Sequence, residues 1–272
     1  MGLRVNTNIA SLTAQRNLSS VSSRLTGNFS KLSSGLRVAN AADDAAGLGI
    51  SERMRSQIRS LGAAGRNAQD GISLVQTAEG ALNEGSNILS RMRELAVQAS
   101  NGTLSTDDRN TIDSEVQALV SELGRISDST TFNGVNLLDG SSTTASIQVG
   151  INSGETIDVT LQDTSTSTLG VNSLDVTTAS NASSALADID DAIDTLNTAR
   201  GDLGAVQNRL TSAYTSIQNS RENLSAAESR IRDVDVAYET ADLTRNSILQ
   251  QAAVSVLSQA NVQPQLALRL LQ

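Results

Sequence analysis

The sequence contains no histidine, cysteine or tryptophan, and among its 272 residues only four are aromatic and one is proline. Without histidine and cysteine, the chain lacks the usual general base near neutral pH, the thiol nucleophile and the soft metal ligands. The composition therefore argues against an enzyme and predicts no catalytic residue, cofactor or metal. Because large aromatic side chains are scarce, we expect packing through narrow, alanine-rich seams between helices rather than around a large globular core.

Acidic residues are also missing, but only from the two ends of the chain. The first acidic residue is Asp43 and the last is Asp242, whereas residues 101–200 hold 15 acidic and three basic side chains. Nucleic-acid binding depends on basic groups that neutralise phosphates, so this distribution argues against a nucleic-acid partner. Two ends free of acids can fold against each other and against copies of themselves, which points to assembly.

Long apolar runs are absent as well. The longest uncharged stretch, 246–268, is interrupted by Asn, Gln or Ser about every third residue, which would be costly in a bilayer. No continuous apolar segment follows Arg4, so a cleaved secretory signal is not indicated. We expect no membrane insertion, and either a cytoplasmic location or export without cleavage.

Helical periodicity is the strongest signal that is present. A heptad ladder of large residues predicts a helix over about 181–233, and a second ladder predicts one over about 44–99. A third helix is predicted over about 105–128, with Ser105 as its cap and two acids in its first turn. The large positions of the first ladder are Ile189, Leu196, Leu203, Leu210, Ile217, Leu224, Ile231 and Tyr238, and those of the second are Met54, Leu61, Ala68, Val75, Leu82, Leu89 and Ala96.

The period changes between about 130 and 178, where alternating residues predict a small β region. Residues 147–149 and 157–161 read as half-buried strands, with 150–154 as the hairpin loop between them. The run 164–168 of Thr and Ser reads as a solvated loop. We also expect Pro264 to mark the final turn of the last helix.

Breaks at 33–35 and 233–239 separate the acid-free ends from the rest of the chain. We interpret them as paired connectors between a terminal domain, formed by 1–42 and 236–272, and an outer domain over 43–235. The predicted fold is mainly α, a long antiparallel helical coiled-coil-like rod with a small β-hairpin region in the middle of the chain.

Seven short motifs resemble bacterial flagellin, in order and across roughly 3–139 and 180–272. They are Leu3–Asn8, Leu32–Arg37, Asp43–Leu48, Arg66–Ser73, Thr131–Gly134, Ile248–Ala252 and Ser258–Asn261. The resemblance implies a flagellar filament subunit that is exported unfolded through the flagellar type III apparatus and polymerises at the distal tip, outside the cell. It also implies an inner-tube domain made by both ends, an outer-tube domain, and partners that include an export chaperone, the filament cap and junction proteins.

The resemblance extends to a segment that a host receptor binds. Residues 91–98 are similar to the flagellin segment recognised by Toll-like receptor 5, and Glu115 matches the contacting acid of the family on the neighbouring helix. The resemblance implies contacts from Arg91, Leu95 and Glu115 in the monomer. These three residues could equally pack against neighbouring subunits. For subunit packing we single out apolar positions near both ends, namely Leu18, Val21, Leu25, Phe29, Leu32, Ile248, Ala252 and Val256.

Two other functions remain as alternatives. A hook-filament junction protein of the same superfamily would share the terminal segments but form a short ring, and the compact middle disfavours it. A secreted enzyme on the same scaffold would need a catalytic insert, which the short middle does not provide. The acids between Asp188 and Asp194 resemble a cation cluster, but Ile189 and Ala192 occupy the buried columns, so a solvated helix face is favoured over a metal site.

Overall fold

The computed structural model describes residues 7–269, and their side chains for 7–262. Of the described residues, 73% are helical, which confirms the mainly α fold. Its five helices are Ile9–Ser34 (α1), Ala45–Ala99 (α2), Thr106–Ser129 (α3), Ala179–Arg232 (α4) and Val236–Arg269 (α5).

The predicted helix bounds agree with α2, α3 and α4 to within two residues, because the capping residues were visible in the sequence. Ser105 accepts a hydrogen bond from the Asp108 amide, and the Asp108 carboxylate accepts one from the Ser105 amide, which forms a complete capping box. Asp44 likewise accepts a bond from the Gly47 amide at the start of α2. Asp44 and Asp108 therefore satisfy backbone amides at the starts of α2 and α3.

Two compact units are present: Met1–Ser56 with Asn223–Gln272, and Gln57–Glu222. In the unit Gln57–Glu222, one core gathers apolar residues from α2, α3, α4 and the β region. The predicted heptad columns lie in it: Ala68, Val75, Leu82, Leu89 and Ala96 are buried on α2, and Ile189, Leu196, Leu203 and Leu210 are buried on α4. The small column of α4 is confirmed by buried Ala192 and Ala199.

The β region forms two antiparallel strand pairs. Strands Thr131–Phe132 (β1) and Val135–Asn136 (β2) make a short one, and Thr144–Gln148 (β3) pairs with Thr156–Thr160 (β4). Ile147 lies opposite Ile157, and the intervening loop covers the predicted 150–154. Alternate residues of β4, Ile157 and Val159, are buried, as expected for a half-buried strand.

The prediction of a solvated loop at 164–168 was wrong in part. Thr164 is buried, and its amide donates to the Leu138 carbonyl at 2.9 Å. Residues 165–168 fold around Asp163, whose carboxylate accepts bonds from the Ser165 amide and the Thr168 hydroxyl. The run is drawn inward because apolar residues on both sides of it, Leu161 and Leu169, belong to the core.

In the unit formed by the two ends, α1 and α5 pack against each other in antiparallel directions. The expectation that Pro264 marks the final turn was wrong, because α5 continues to Arg269. Proline has no amide hydrogen, so the Ala260 carbonyl four residues earlier lacks its usual partner. The Asn8 side-chain amide supplies one at 2.7 Å.

Gly71 of α2 lies where the β3–β4 hairpin and α4 approach most closely. A Cβ atom there would lie 3.1 Å from Ile147 Cγ1 and 3.3 Å from Leu210 Cδ1, whereas one at Gly80 would meet nothing within 4 Å. We predict that Gly71→Val lowers the free energy of unfolding by about 1–3 kcal/mol through overpacking. Gly80→Val is expected to change it by less than about 0.5 kcal/mol, since both residues are moderate to poor helix formers.

Urea unfolding followed by far-ultraviolet circular dichroism would measure both variants. Equal stability of the two would show that the hairpin adjusts freely over α2 and that Gly71 is not required for its position.

Candidate assembly and recognition surfaces

A seam joins α1 and α5 along residues that recur at alternating spacings of three and four, the pattern of a coiled coil. These residues are buried or half-buried, whereas most of their neighbours are exposed. On α1 they are Ser11, Ala14, Leu18, Val21, Leu25, Asn28 and Leu32, and on α5 they are Glu239, Leu243, Asn246, Gln250, Ala253, Leu257 and Ala260. The seam is thus built from leucines, small residues and a minority of polar side chains.

The eight packing candidates divide between two faces. Leu18, Val21, Leu25 and Leu32 lie on the seam, whereas Phe29, Ile248, Ala252 and Val256 lie outside it and are exposed. The side chains of Phe29, Ile248 and Val256 are 56%, 61% and 58% exposed. The exposed large apolar side chains of the pair, called here the outer face, are Ile9, Leu12, Phe29, Val236, Tyr238, Ile248, Leu249, Val254, Val256 and Val262.

The two connectors meet through their backbones, as the breaks in the sequence predicted. Helix α1 ends with Gly35 in the left-handed conformation at φ +72°, and the Gly35 carbonyl accepts a bond from the Val234 amide at 3.0 Å. Leu36 and Asp233 then pair as an antiparallel bridge. The Arg37 and Val38 amides both donate to the Arg232 carbonyl, which is one of the carbonyls that the end of α4 leaves without an intrahelical partner.

An ion pair supports this junction. The Arg232 side chain is only 13% exposed, and its Nη1 lies 2.8 Å from Glu52 Oε1 in the second turn of α2. The hydrogen bond from Arg232 lowers the pKa of Glu52 below its ordinary value. Glu52 is itself half-exposed, so solvent screens the pair in part.

The two charged residues that we associate with receptor recognition meet on the surface of the second unit. Arg91 on α2 donates to Glu115 on α3 through Nε at 3.2 Å and Nη2 at 2.9 Å, and to Glu94 through Nη1 at 3.0 Å. The bonds to Glu115 and Glu94 raise the pKa of Arg91. All three side chains remain about half-exposed or more, so the cluster is accessible to a partner.

Leu95 lies elsewhere. Its side chain is 2% exposed and packs in the core with Met92 and Ala96. Leu95 lies on the same buried side of α2 as the heptad column. The charged residues next to it in the sequence made its burial hard to predict. The expectation of a direct contact from Leu95 is therefore not supported, and its place is beneath the charged cluster.

The acids of α4 between Asp188 and Asp194 lie on its solvent-exposed side, as the sequence indicated. Asp190 accepts a hydrogen bond from Arg93 Nε at 2.6 Å, which lowers the pKa of Asp190. Asp191 and Asp194 line a shallow open depression with Gln162, Thr195 and Thr198. Within the described part of the chain, no three acidic side chains are grouped closely enough to hold a metal ion. None of the described helices is long and apolar enough to span a bilayer.

These features define a class of protein: a mainly helical structural chain whose two ends pair and leave an apolar face uncovered. Family models agree with this class at both ends. The model of the bacterial flagellin N-terminal helical region matches residues 5–143, and the model of the bacterial flagellin C-terminal helical region matches residues 186–271.

Curated relatives match over nearly the whole chain. A flagellin of Halalkalibacterium halodurans is 50% identical over 270 residues, which cover 98% of this chain and 99% of the relative. A flagellin of Bacillus subtilis is 46% identical, with 99% and 100% covered. The flagellar filament 33 kDa core protein of Treponema phagedenis is 42% identical, with 98% and 99% covered.

Among solved structures, the crystal structure of Bacillus cereus flagellin is similar, with a TM-score of 0.52 and 34% identity over 60% of this chain and 94% of that one. The chain belongs to the bacterial flagellin family and is a structural subunit of the flagellar filament. A hook-associated protein described as putative, from Vibrio parahaemolyticus, has a TM-score of 0.60 and covers 70% of this chain. At 14% identity it shows a shared fold alone, so the junction-protein alternative is not favoured.

The Glu52–Arg232 pair predicts a dependence of stability on pH. Because the pKa of Glu52 is lowered in the folded chain, the pair stabilises the fold above the ordinary carboxyl pKa and ceases to do so as pH falls through the lowered value. We predict that Glu52→Gln lowers the melting temperature at about pH 7, and that its difference from wild type shrinks as pH falls below the ordinary carboxyl pKa and disappears below the lowered one.

Melting followed by circular dichroism at a series of pH values checks this prediction, with Glu84→Gln as the control. Glu84 is exposed and forms no ion pair within the described residues. A difference that stays constant down to acid pH would mean that Glu52 acts through packing and not through its charge.

Proposed function

We propose that the chain is exported unfolded through the flagellar type III apparatus and polymerises with copies of itself at the distal tip, so that the mature protein is secreted and extracellular. The main observation that supports polymerisation is the outer face. Its apolar side chains, such as Ile248 and Val256, are more than half-exposed. Large apolar side chains left exposed along both paired helices favour an interaction with another copy of the chain. Its removal from water would contribute about 25 cal/mol per Å² of apolar area buried.

Within this proposal the packing candidates have two roles. Leu18, Val21, Leu25 and Leu32 hold α1 against α5, and Phe29, Ile248, Ala252 and Val256 contact neighbouring subunits. The absence of acids from 1–42 and 243–272 supports both roles, since an ionised carboxylate buried without a partner would oppose packing.

We propose that the chain is organised in two domains that meet at the connectors. Residues 1–42 and 236–272 form the inner-tube domain, and 43–235 form the outer-tube domain, with the junction at Leu36 and Asp233 between the helices of each. The partners that we propose besides the homopolymer are the export apparatus, an export chaperone, the filament cap and junction proteins. The support for these partners is family membership. We infer no enzymatic activity.

Leu25→Asp separates export from assembly. Leu25 is half-buried on the seam between α1 and α5, so an aspartate there would place a carboxylate among apolar side chains. Export of an unfolded chain does not require that seam. We predict that Leu25→Asp is secreted at wild-type levels but forms filaments at less than about a tenth of the wild-type yield, the effect of about 1.4 kcal/mol on assembly.

Secretion is measured by immunoblot of culture supernatants, and assembly by electron microscopy of purified protein under polymerising conditions. Leu25→Met, which conserves volume and apolarity, is the matched control and is expected to form filaments normally. Wild-type filament yield from Leu25→Asp would contradict the proposed seam, and loss of secretion would assign the acid-free ends to export.

A second proposed function concerns the monomer. We infer that Toll-like receptor 5 binds the accessible cluster of Arg91 and Glu115, because these two residues, which match the recognised segment of the family, lie in contact across α2 and α3. An arginine held in a fixed orientation by a carboxylate presents its remaining donors to a partner with little loss of side-chain freedom.

Arg91→Ala is therefore predicted to weaken binding of the monomer to the receptor ectodomain by about tenfold or more. Glu115→Ala should weaken it less, and the double variant should lose less than the two single losses combined, because the residues act as a unit. Surface plasmon resonance with purified monomer measures the change. Arg125→Ala, which removes an exposed arginine paired with Glu122 on α3, is the matched control. Equal losses in Arg91→Ala and Arg125→Ala would indicate a general charge effect.

A further inference from the structure

The seam between α1 and α5 contains a buried pair of amide side chains. Asn28 and Asn246 are each 7% exposed, and Asn246 Nδ2 donates to Asn28 Oδ1 at 3.1 Å. Both residues occupy heptad positions whose neighbours along the seam are mostly apolar or small. A single buried asparagine in such a seam can select one register, because a shift leaves its amide without a partner.

Two further polar contacts, near the other end of the pair, require the same register. The Asn8 amide donates to the Ala260 carbonyl, which Pro264 leaves without its usual partner, while Asn8 Oδ1 caps α1 by accepting from the Ser11 amide. The Ser11 hydroxyl donates to Asn261 Oδ1 at 2.7 Å. Residues 8, 11 and 28 of α1 thus meet residues 260, 261 and 246 of α5 in a single antiparallel alignment.

The apolar part of the seam discriminates registers poorly. Its residues repeat every seven positions, so a shift by one heptad would bring leucines and small residues against leucines and small residues again. The same shift would place Asn28 against the position of Ala253 or Glu239, which lie seven residues from Asn246 on either side. The polar contacts can therefore distinguish between registers that the apolar residues allow equally.

We propose that Asn28 and Asn246 are the register-determining residues of the terminal helix pair, and that Asn8 reinforces the same register through the carbonyl freed by Pro264. The selected partner of each amide is the other end of the same chain. This inference deepens the proposed assembly, since the alignment of α1 with α5 determines which outer-face residues lie side by side. Register and assembly are measured separately, so the two proposals can fail separately.

The absence of cysteine from the sequence allows a direct test. Ser11→Cys with Asn261→Cys reports the observed register, because these two side chains are in contact. Ser11→Cys with Val254→Cys reports a shift of one heptad, since position 254 precedes 261 by seven residues and is exposed. Each cysteine pair is placed in the full-length chain with either the native asparagines or Asn28→Leu and Asn246→Leu.

Disulfide formation under mild oxidation is quantified by mass spectrometry on mixed isotope-labelled chains, which separates links within a chain from links between chains. It is scored in dilute protein and under polymerising conditions, whether or not filaments form. With native asparagines we expect the observed-register link to exceed the shifted link by about tenfold or more, and with the two leucines we expect the ratio to fall toward unity.

Asn28→Ala with Asn246→Ala adds no apolar bulk and is expected to give the same loss of discrimination. Asn17→Leu with Gln251→Leu makes the same chemical change at exposed positions of α1 and α5 and should retain the native ratio. The proposal is overturned if the leucine and alanine variants keep the native ratio, or if the observed-register link fails to form with native asparagines. It is also overturned if the exposed control loses discrimination equally.

Discussion

The backbone contact between the two connectors is the constraint on which the terminal unit depends. The last turn of α4 leaves carbonyl groups without intrahelical partners, and a segment nearly 200 residues earlier in the chain satisfies them. The Arg37 and Val38 amides donate to the Arg232 carbonyl, and the Arg37 guanidinium donates to the Ile231 carbonyl. Both ends of the chain leave this junction side by side, so it brings α1 and α5 together as an antiparallel pair. We infer that the polar contacts farther along the seam then hold the pair in one register.

Beyond that junction, the sequence was sufficient to predict most helices, because their periodicity is long and their caps are local. The columns of α2 and α4 extend over several heptads, and a capping residue such as Ser105 acts within three residues of itself. Tyr238 shows where this reasoning ends. It continues the α4 ladder by count, yet it is exposed, because α4 stops at Arg232 and α5 begins with a new rotation at Val236.

The parts that could not be predicted depend on contacts between distant residues. Phe29 is apolar but exposed, whereas its neighbour Asn28 lies on the α1 seam, where it pairs with Asn246. The Ala260 carbonyl, which Pro264 leaves without its usual partner, accepts a hydrogen bond from Asn8, which is distant in the sequence. Buried Thr164 donates its amide to the Leu138 carbonyl. In each case a polar group forms a hydrogen bond with a distant residue, and no local sequence pattern predicts that partner. Arg91 and Glu115 were selected only through the family resemblance, and their contact with each other was not predicted.

The position of acids in the terminal unit clarifies why the ends lack them. Carboxylates cluster at the junction, where they accept hydrogen bonds from nearby backbone amides. Asp43 accepts from the Ala39 and Asn40 amides, which lowers its pKa. Asp235 accepts from the Ala237 and Tyr238 amides at the start of α5. Beyond Glu239, which lies on the seam near the junction, and Asp242, the helices α1 and α5 have no turns to cap. A carboxylate there would face either the seam or the outer face, and neither offers the amides that satisfy the acids at the junction. We infer that the ends lack acids because α1 and α5 pack on each other through the seam and, in the proposed assembly, on copies of the chain through the outer face.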